Sequence, residues 1–99
     1  MDKSEAQRAV EHMLGEITIS SASVDLVVLE HLALEFELGW VFFFQSRSFV
    51  ESGDPVDMLA GNAPYIVNRH TGELRVTGTA QPIAYYIDRY VAETGLDDT

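Results

Sequence analysis

A chain of 99 residues, 46% of them apolar, amounts to one domain that can bury a core without covalent staples. The absence of cysteine excludes disulfides and thiolate metal sites, and a net charge of −10 disfavours nucleic acid and anionic membranes as partners. The longest apolar run, Trp40 to Phe44, is far too short to cross a bilayer, and the charged N-terminus has no signal-peptide core. The expected compartment is therefore the cytoplasm.

The charge is unevenly placed. Between Ala9 and Asn68 the only basic residue is Arg47, while Glu11, Glu16, Asp25, Glu30, Glu35, Glu37, Glu51, Asp54 and Asp57 are acidic. Such a stretch steers basic partners, and it also serves simply as a solvated surface that keeps the chain soluble.

In chain order, Asp2 to Leu14 has the period of an amphipathic helix, with Ala6, Ala9, Val10, Met13 and Leu14 on one face. Asp2 with Glu5, or Ser4 with Gln7, caps its start, and Gly15 is the expected stop. Ile17 to Asp25 reads as a serine-rich connector. Leu32 to Glu37 and Trp40 to Ser46 then alternate as the strands of a hairpin. A two-residue loop, Leu38-Gly39, would split their large apolar residues between faces. A three-residue loop, Glu37-Leu38-Gly39, pairs Phe36 with Trp40 and collects Leu32, Leu34, Phe36, Trp40, Phe42 and Phe44 on one face, and is the expected register.

Arg47 to Val50 leaves the sheet. Asp54, Pro55 and Asp57 then have the order of a helix start, and a short helix is expected from there to Ala60, stopped by Gly61. Pro64 to Asn68 and Glu73 to Thr77 read as a second hairpin around the turn Arg69 to Gly72. Gln81 to Glu93 reads as a closing helix, with Pro82 in its first turn, Ile83, Tyr86, Ile87, Tyr90 and Val91 on one face, and Gly95 as its stop. No linker separates a second domain. The expected fold is α+β: an antiparallel sheet of about four strands in two hairpins, with the N- and C-terminal helices on one face and a short helix between the hairpins.

Catalytic patterns are scarce. His12, His31 and His70 have no metal-ligand spacing, and the Glu11-His12 and Glu30-His31 neighbours do not face one another on a helix or strand. No serine stands in a nucleophile elbow, and no glycine-rich loop has the lysine a phosphate cradle requires. Trp40 is expected to face the core near a sheet margin. In Gly61-Asn62-Ala63-Pro64, glycine ends a helix and proline opens a strand, which leaves Asn62 to hold the turn or to reach a partner.

Gly39-Trp-Val-Phe-Phe-Phe-Gln-Ser46, Phe49 to Asp54, Leu59-Ala-Gly-Asn-Ala-Pro64, Thr71-Gly-Glu73, Gly78-Thr79-Ala80, and Tyr86 with Tyr90 resemble the immunity protein 35 family, also called YrhB-like. The likeness runs from about Leu26 to Val91, and the N-terminal helix matches only in type. The resemblance implies an α+β fold and a non-enzymatic bacterial immunity protein that binds a cognate polymorphic toxin domain inside the producing cell. It also carries a second expectation, a small chaperone that binds partly unfolded clients. A basic toxin would suit the acidic middle of the chain. The partner-binding residues are then expected to be Glu35, Glu37, Glu51, Asp54 and Asp57, with Trp40 and Asn62 as anchors. No cofactor, metal, nucleic acid or membrane is expected.

Overall fold

A computed structural model describes residues 1–21, 26–54 and 63–95 of the chain, the side chains of 17–21 and 95 apart. In chain order these form α1 (Lys3–Ser21), β1 (Leu26–Val28), a 3-10 turn (Glu30–Leu32), β2 (Leu34–Phe36), β3 (Gly39–Phe42), β4 (Phe44–Ser46), α2 (Arg47–Ser52), β5 (Tyr65–Asn68), β6 (Leu74–Val76) and α3 (Ile83–Gly95). The fold is α+β. Strands β2-β3-β5-β6 make one antiparallel sheet, and β1-β4 make a second, two-stranded one.

Helix α1 begins as the sequence suggests. The Asp2 carboxylate accepts from the Glu5 N–H at 2.8 Å, and the Glu5 carboxylate accepts from the Asp2 N–H at 3.4 Å, a reciprocal cap. Its end lies elsewhere: the helix runs through Gly15 to Ser21, across residues expected to form a connector. One glycine costs a helix about 1 kcal/mol, too little to stop it once propagated. Ala6, Val10 and Leu14, four residues apart, are fully buried against Trp40, Phe42 and Val67. Burial of side chains the size of Val10 and Leu14 stabilises by about 1.5–3 kcal/mol each.

The first hairpin takes a register outside both of those considered from sequence. Leu34 pairs with Val41, Glu35 with Trp40 and Phe36 with Gly39, around a two-residue turn, Glu37-Leu38. Gly39 is thus the first residue of β3, not the last of the loop. The apolar residues do not share one face. Trp40 and Phe42 point toward α1, whereas Val41 points the other way with Phe36, Ile66 and Tyr90. All four residues of β3 are buried, so the strand has no solvent face against which a register could be chosen.

The same fact corrects the placement of the helices. α1 covers Trp40, Phe42 and Val67, while Ile83, Ile87 and Tyr90 of α3 cover Val41 and Ile66. The terminal helices lie on opposite faces of the four-stranded sheet, not on one.

β4 continues the run of β3 but pairs with β1, matching Leu26 with Ser46 and Val28 with Phe44. Arg47 onward then forms α2, a helix not expected from the sequence, which read this stretch only as leaving the sheet. The Ser46 hydroxyl accepts from the Phe49 N–H at 3.1 Å, and Gly53 closes the helix at φ 70 with its N–H donating to the Phe49 carbonyl at 2.7 Å. The helix expected over Asp54 to Ala60, and the turn at Gly61-Asn62, fall largely outside the described residues. The second hairpin stands as expected, with Tyr65 opposite Val76 and Val67 opposite Leu74.

A Cβ on Gly39 would collide with the Val67 carbonyl oxygen, whereas a Cβ on Gly15 would meet nothing within 4 Å. Gly39→Ala is therefore expected to destabilise the protein by about 3 kcal/mol, and Gly15→Ala to stabilise it by about 0.5–1 kcal/mol. Urea unfolding of the two variants beside the parent checks both signs.

Candidate partner interface

The β2–β3 hairpin carries two of the expected partner-binding carboxylates, Glu35 in β2 and Glu37 in the turn, and one side chain from the second hairpin organises it. Where β5 ends, the Arg69 N–H donates to the Leu38 carbonyl at 2.8 Å. The Arg69 side chain folds back over the turn. Its Nη2 donates to the Phe36 carbonyl at 2.7 Å and to Glu35 Oε2 at 2.9 Å, with the Gly39 carbonyl at 3.5 Å. The guanidinium lies over the Trp40 ring, its Cζ 4.8 Å from the ring centroid. Arg69 Nε is buried and, among the described residues, is the one buried side-chain polar atom with no hydrogen-bond partner.

These contacts differ in weight. The Glu35 side chain is 64% exposed, so the ion pair itself is worth at most about 1 kcal/mol. The charge-assisted bond to the Phe36 carbonyl and the stacking on Trp40 are shielded and contribute more. A planar fork is needed to reach carbonyl and carboxylate while lying flat on an indole, which a lysine cannot do.

Trp40 is therefore core, 4% exposed, and the surface above it is Arg69 and Glu35. The indole does not reach solvent as an anchor would. Glu37 is exposed in the turn. Glu51 and Asp54 are exposed at the end of α2 and just beyond it, and α2 packs on β4 rather than on the four-stranded sheet. Glu35 and Glu37 thus belong to one local surface and Glu51 and Asp54 to another. Asp57 and Asn62 lie outside the described residues.

A second polar cluster, which sequence reasoning did not single out as a site, locks the same end of these strands to α3 on the opposite face of the sheet. Asn68 is buried, and its Oδ1 accepts from the His70 and Thr71 N–H groups at 2.8 and 3.1 Å. Its Nδ2 donates to the Tyr90 hydroxyl at 3.0 Å, which donates to Glu73 Oε1 at 3.0 Å. The Phe36 ring meets Tyr90 edge-on at 6.2 Å, and Arg75 lies 4.9 Å over the Tyr90 ring. An asparagine ending a strand just before a turn is a recognisable signal for the local bonds. Its partner 22 residues away is not.

On the far side of Tyr90, Arg75 and Arg89 both hold Glu93, at 3.0 and 2.9 Å. The hydrogen bond from Arg89 holds the Glu93 carboxyl below its ordinary range, against a desolvation that acts the other way. The two cations lining this cleft of about 170 Å³ are thus already paired, both with Glu93, and Arg75 also with Glu73 at 3.5 Å. His12 on α1, His31 in the 3-10 turn and His70 in the second hairpin turn are exposed. Among the described residues no group of three or more histidine or acidic side chains could hold a metal ion, and no helix is long and apolar enough to cross a membrane.

Fold and surface together define a small acidic α+β domain whose best-organised surface element is a carboxylate-bearing hairpin turn. The chain belongs to the immunity protein 35 family, which it matches over residues 4–90. It is also similar to "Uncharacterized protein YrhB" of Escherichia coli (strain K12), with 44% identity over 66 residues, 67% of this chain and 70% of that protein. No solved structure matches the chain. Membership brings an immunity-protein role in general, a toxin as partner in general, and a family that is generally non-enzymatic.

Replacement of the Arg69 fork should be felt even where its charge is kept. Arg69→Lys is expected to cost about 1–2 kcal/mol and to shift the emission of Trp40, the chain's single tryptophan, to longer wavelength. Glu35→Gln is expected to cost less than about 1 kcal/mol with little change in emission. Urea unfolding followed by tryptophan fluorescence distinguishes the two.

Proposed function

We propose that this protein binds one cognate toxin domain inside the producing cell and neutralises it by protein–protein contact, and that the toxin surface it meets is basic. Family membership supports the toxin as partner. The observation that carries the electrostatic part is the β2–β3 hairpin: Glu35 in β2 is fixed by Arg69 yet 64% exposed, and Glu37 stands in the turn that follows. A carboxylate held in place needs less ordering on binding than a free one. Glu51 and Asp54 extend the acidic field rather than the same contact, and Asp57 and Asn62 are carried as further contact residues. Trp40 contributes from below, as the platform for Arg69.

Exposed Leu32 and Leu34, at 47% and 39%, favour the second reading, a chaperone for partly unfolded clients. Two half-exposed leucines are well short of the broad apolar patch that promiscuous capture requires. A single selective partner is the stronger reading.

Association with a cognate toxin domain is expected to slow about tenfold as salt rises from low to several hundred millimolar. Replacing Glu35, Glu37, Glu51 and Asp54 together by their amides should lower the association rate at low salt and flatten that dependence, with little change in dissociation. Stopped-flow or surface-plasmon measurements read both rates. An association rate indifferent to salt would overturn the acidic-steering part of the proposal.

A further inference from the structure

Beside the acidic turn, on the α3 face of the sheet, lies a groove that the Arg69 cluster does not use. Phe36, Glu37, Ile87, Asp88, Val91 and Ala92 line a volume of about 380 Å³. Its floor is apolar. Phe36 reaches it from β2, an edge strand of the sheet, and Ile87, Val91 and Ala92 come from one side of α3 at the i, i+4, i+5 spacing of a helix face. Leu34, two residues before Phe36 and so on the same face of the strand, is 39% exposed and extends this floor along the sheet edge.

Its rim is acidic on both sides. Glu37 in the turn and Asp88 on α3 are exposed, and among the described residues neither has an ion-pair partner. The acids elsewhere on this half of the molecule are engaged: Glu35 by Arg69, and Glu73 and Glu93 by Arg75 and Arg89. A second copy of the chain is a poor occupant, because it would bring the same two carboxylates and a net charge of −10 against itself. Apolar floor and unpaired anionic rim instead fit a segment with a large apolar side chain flanked by lysine or arginine.

We propose that this groove between β2 and α3 is the centre of the partner-binding surface, and that it takes an apolar side chain of a basic segment whose cations face Glu37 and Asp88. The proposal rests on the toxin-binding reading above and names the face that reading leaves open. The apolar contact slows dissociation, and the rim charges speed association and exclude acidic segments.

Two measurements on the full chain separate this proposal from the reading on which it rests. The first titrates the 15N-labelled protein with the blocked peptide Lys-Lys-Leu-Phe-Lys-Lys. The expected result is saturable shifts concentrated at Glu37, Ile87, Asp88, Val91 and Ala92. These should fall at least about tenfold in affinity in the double variant Glu37→Lys, Asp88→Lys, and be absent with the matching glutamate peptide. Both substituted positions are exposed, and unchanged far-UV circular dichroism verifies the fold. Shifts spread over the molecule, no binding, equal binding of the glutamate peptide, or self-association of the protein through these residues would each overturn the groove assignment. The second compares the parent and the same double variant against the cognate toxin domain recovered with the parent protein from its native cell. A loss of at least about tenfold in affinity supports the assignment. Equal affinity overturns the groove while the toxin-binding reading stands. A parent that recovers no toxin domain overturns that reading, while the peptide result still decides the chemistry of the groove.

Discussion

Every residue of β3 is buried, and that single constraint organises the molecule. A strand with no solvent face must be covered on both sides, and two helices at opposite ends of the chain supply the cover. Ala6, Val10 and Leu14 close one side over Trp40 and Phe42, and Ile83, Ile87 and Tyr90 close the other over Val41. Each layer is thin, so small side chains matter where backbones approach. Gly39 faces the Val67 carbonyl with no room for a methyl group, and the close β3–β5 pairing depends on its being glycine.

The two cores meet at the end of β5, where neighbouring residues serve opposite faces. Asn68 turns toward α3 and joins Tyr90 and Glu73, while Arg69 turns toward the α1 side and folds over Trp40. Strand alternation alone sends adjacent side chains to different layers. One two-residue segment therefore anchors the second hairpin to both sides of the sheet. Its polar groups are largely satisfied within the protein, which makes the arrangement structural, and its effect on the surface indirect: it fixes where Glu35 stands.

The surface this leaves is acidic around the first hairpin and partly neutralised around α3, where Arg75 and Arg89 share Glu93. For the toxin-binding role proposed above, what counts on such a surface is the placement of charge and apolar area. The β2–α3 groove and the Glu35–Glu37 hairpin lie at the same end of β2, Glu35 on the α1 face with Trp40 and the groove on the α3 face, with Glu37 in the turn between them. Glu51, on the helix that packs against β4, and Asp54, just beyond it, belong to a separate acidic surface.

Much of the chain is legible locally. The cap at Asp2, the second hairpin around Arg69 to Gly72, the apolar stripe of α3 and the α+β class follow from residues near one another, because caps, turns and periodicity are local physics. The aromatic strand, the tyrosines of α3 and the spacing of the glycine-containing turns also sufficed to place the chain in its family. The register of the first hairpin did not follow, because both candidate loops assumed one buried face and β3 has two. The opposed helices failed to follow for the same reason: an apolar stripe says that a helix is covered but not by which side of a sheet. Gly15 read as a stop because its cost was visible and the continuation of α1 was not. By itself the sequence determined the α+β class, the second hairpin, the closing helix, the charge and the family. Only the tertiary structure decided which carboxylates stand paired and which stand free beside an apolar groove, since partners such as Arg69 and Glu35 lie 34 residues apart and meet only once the sheet is built.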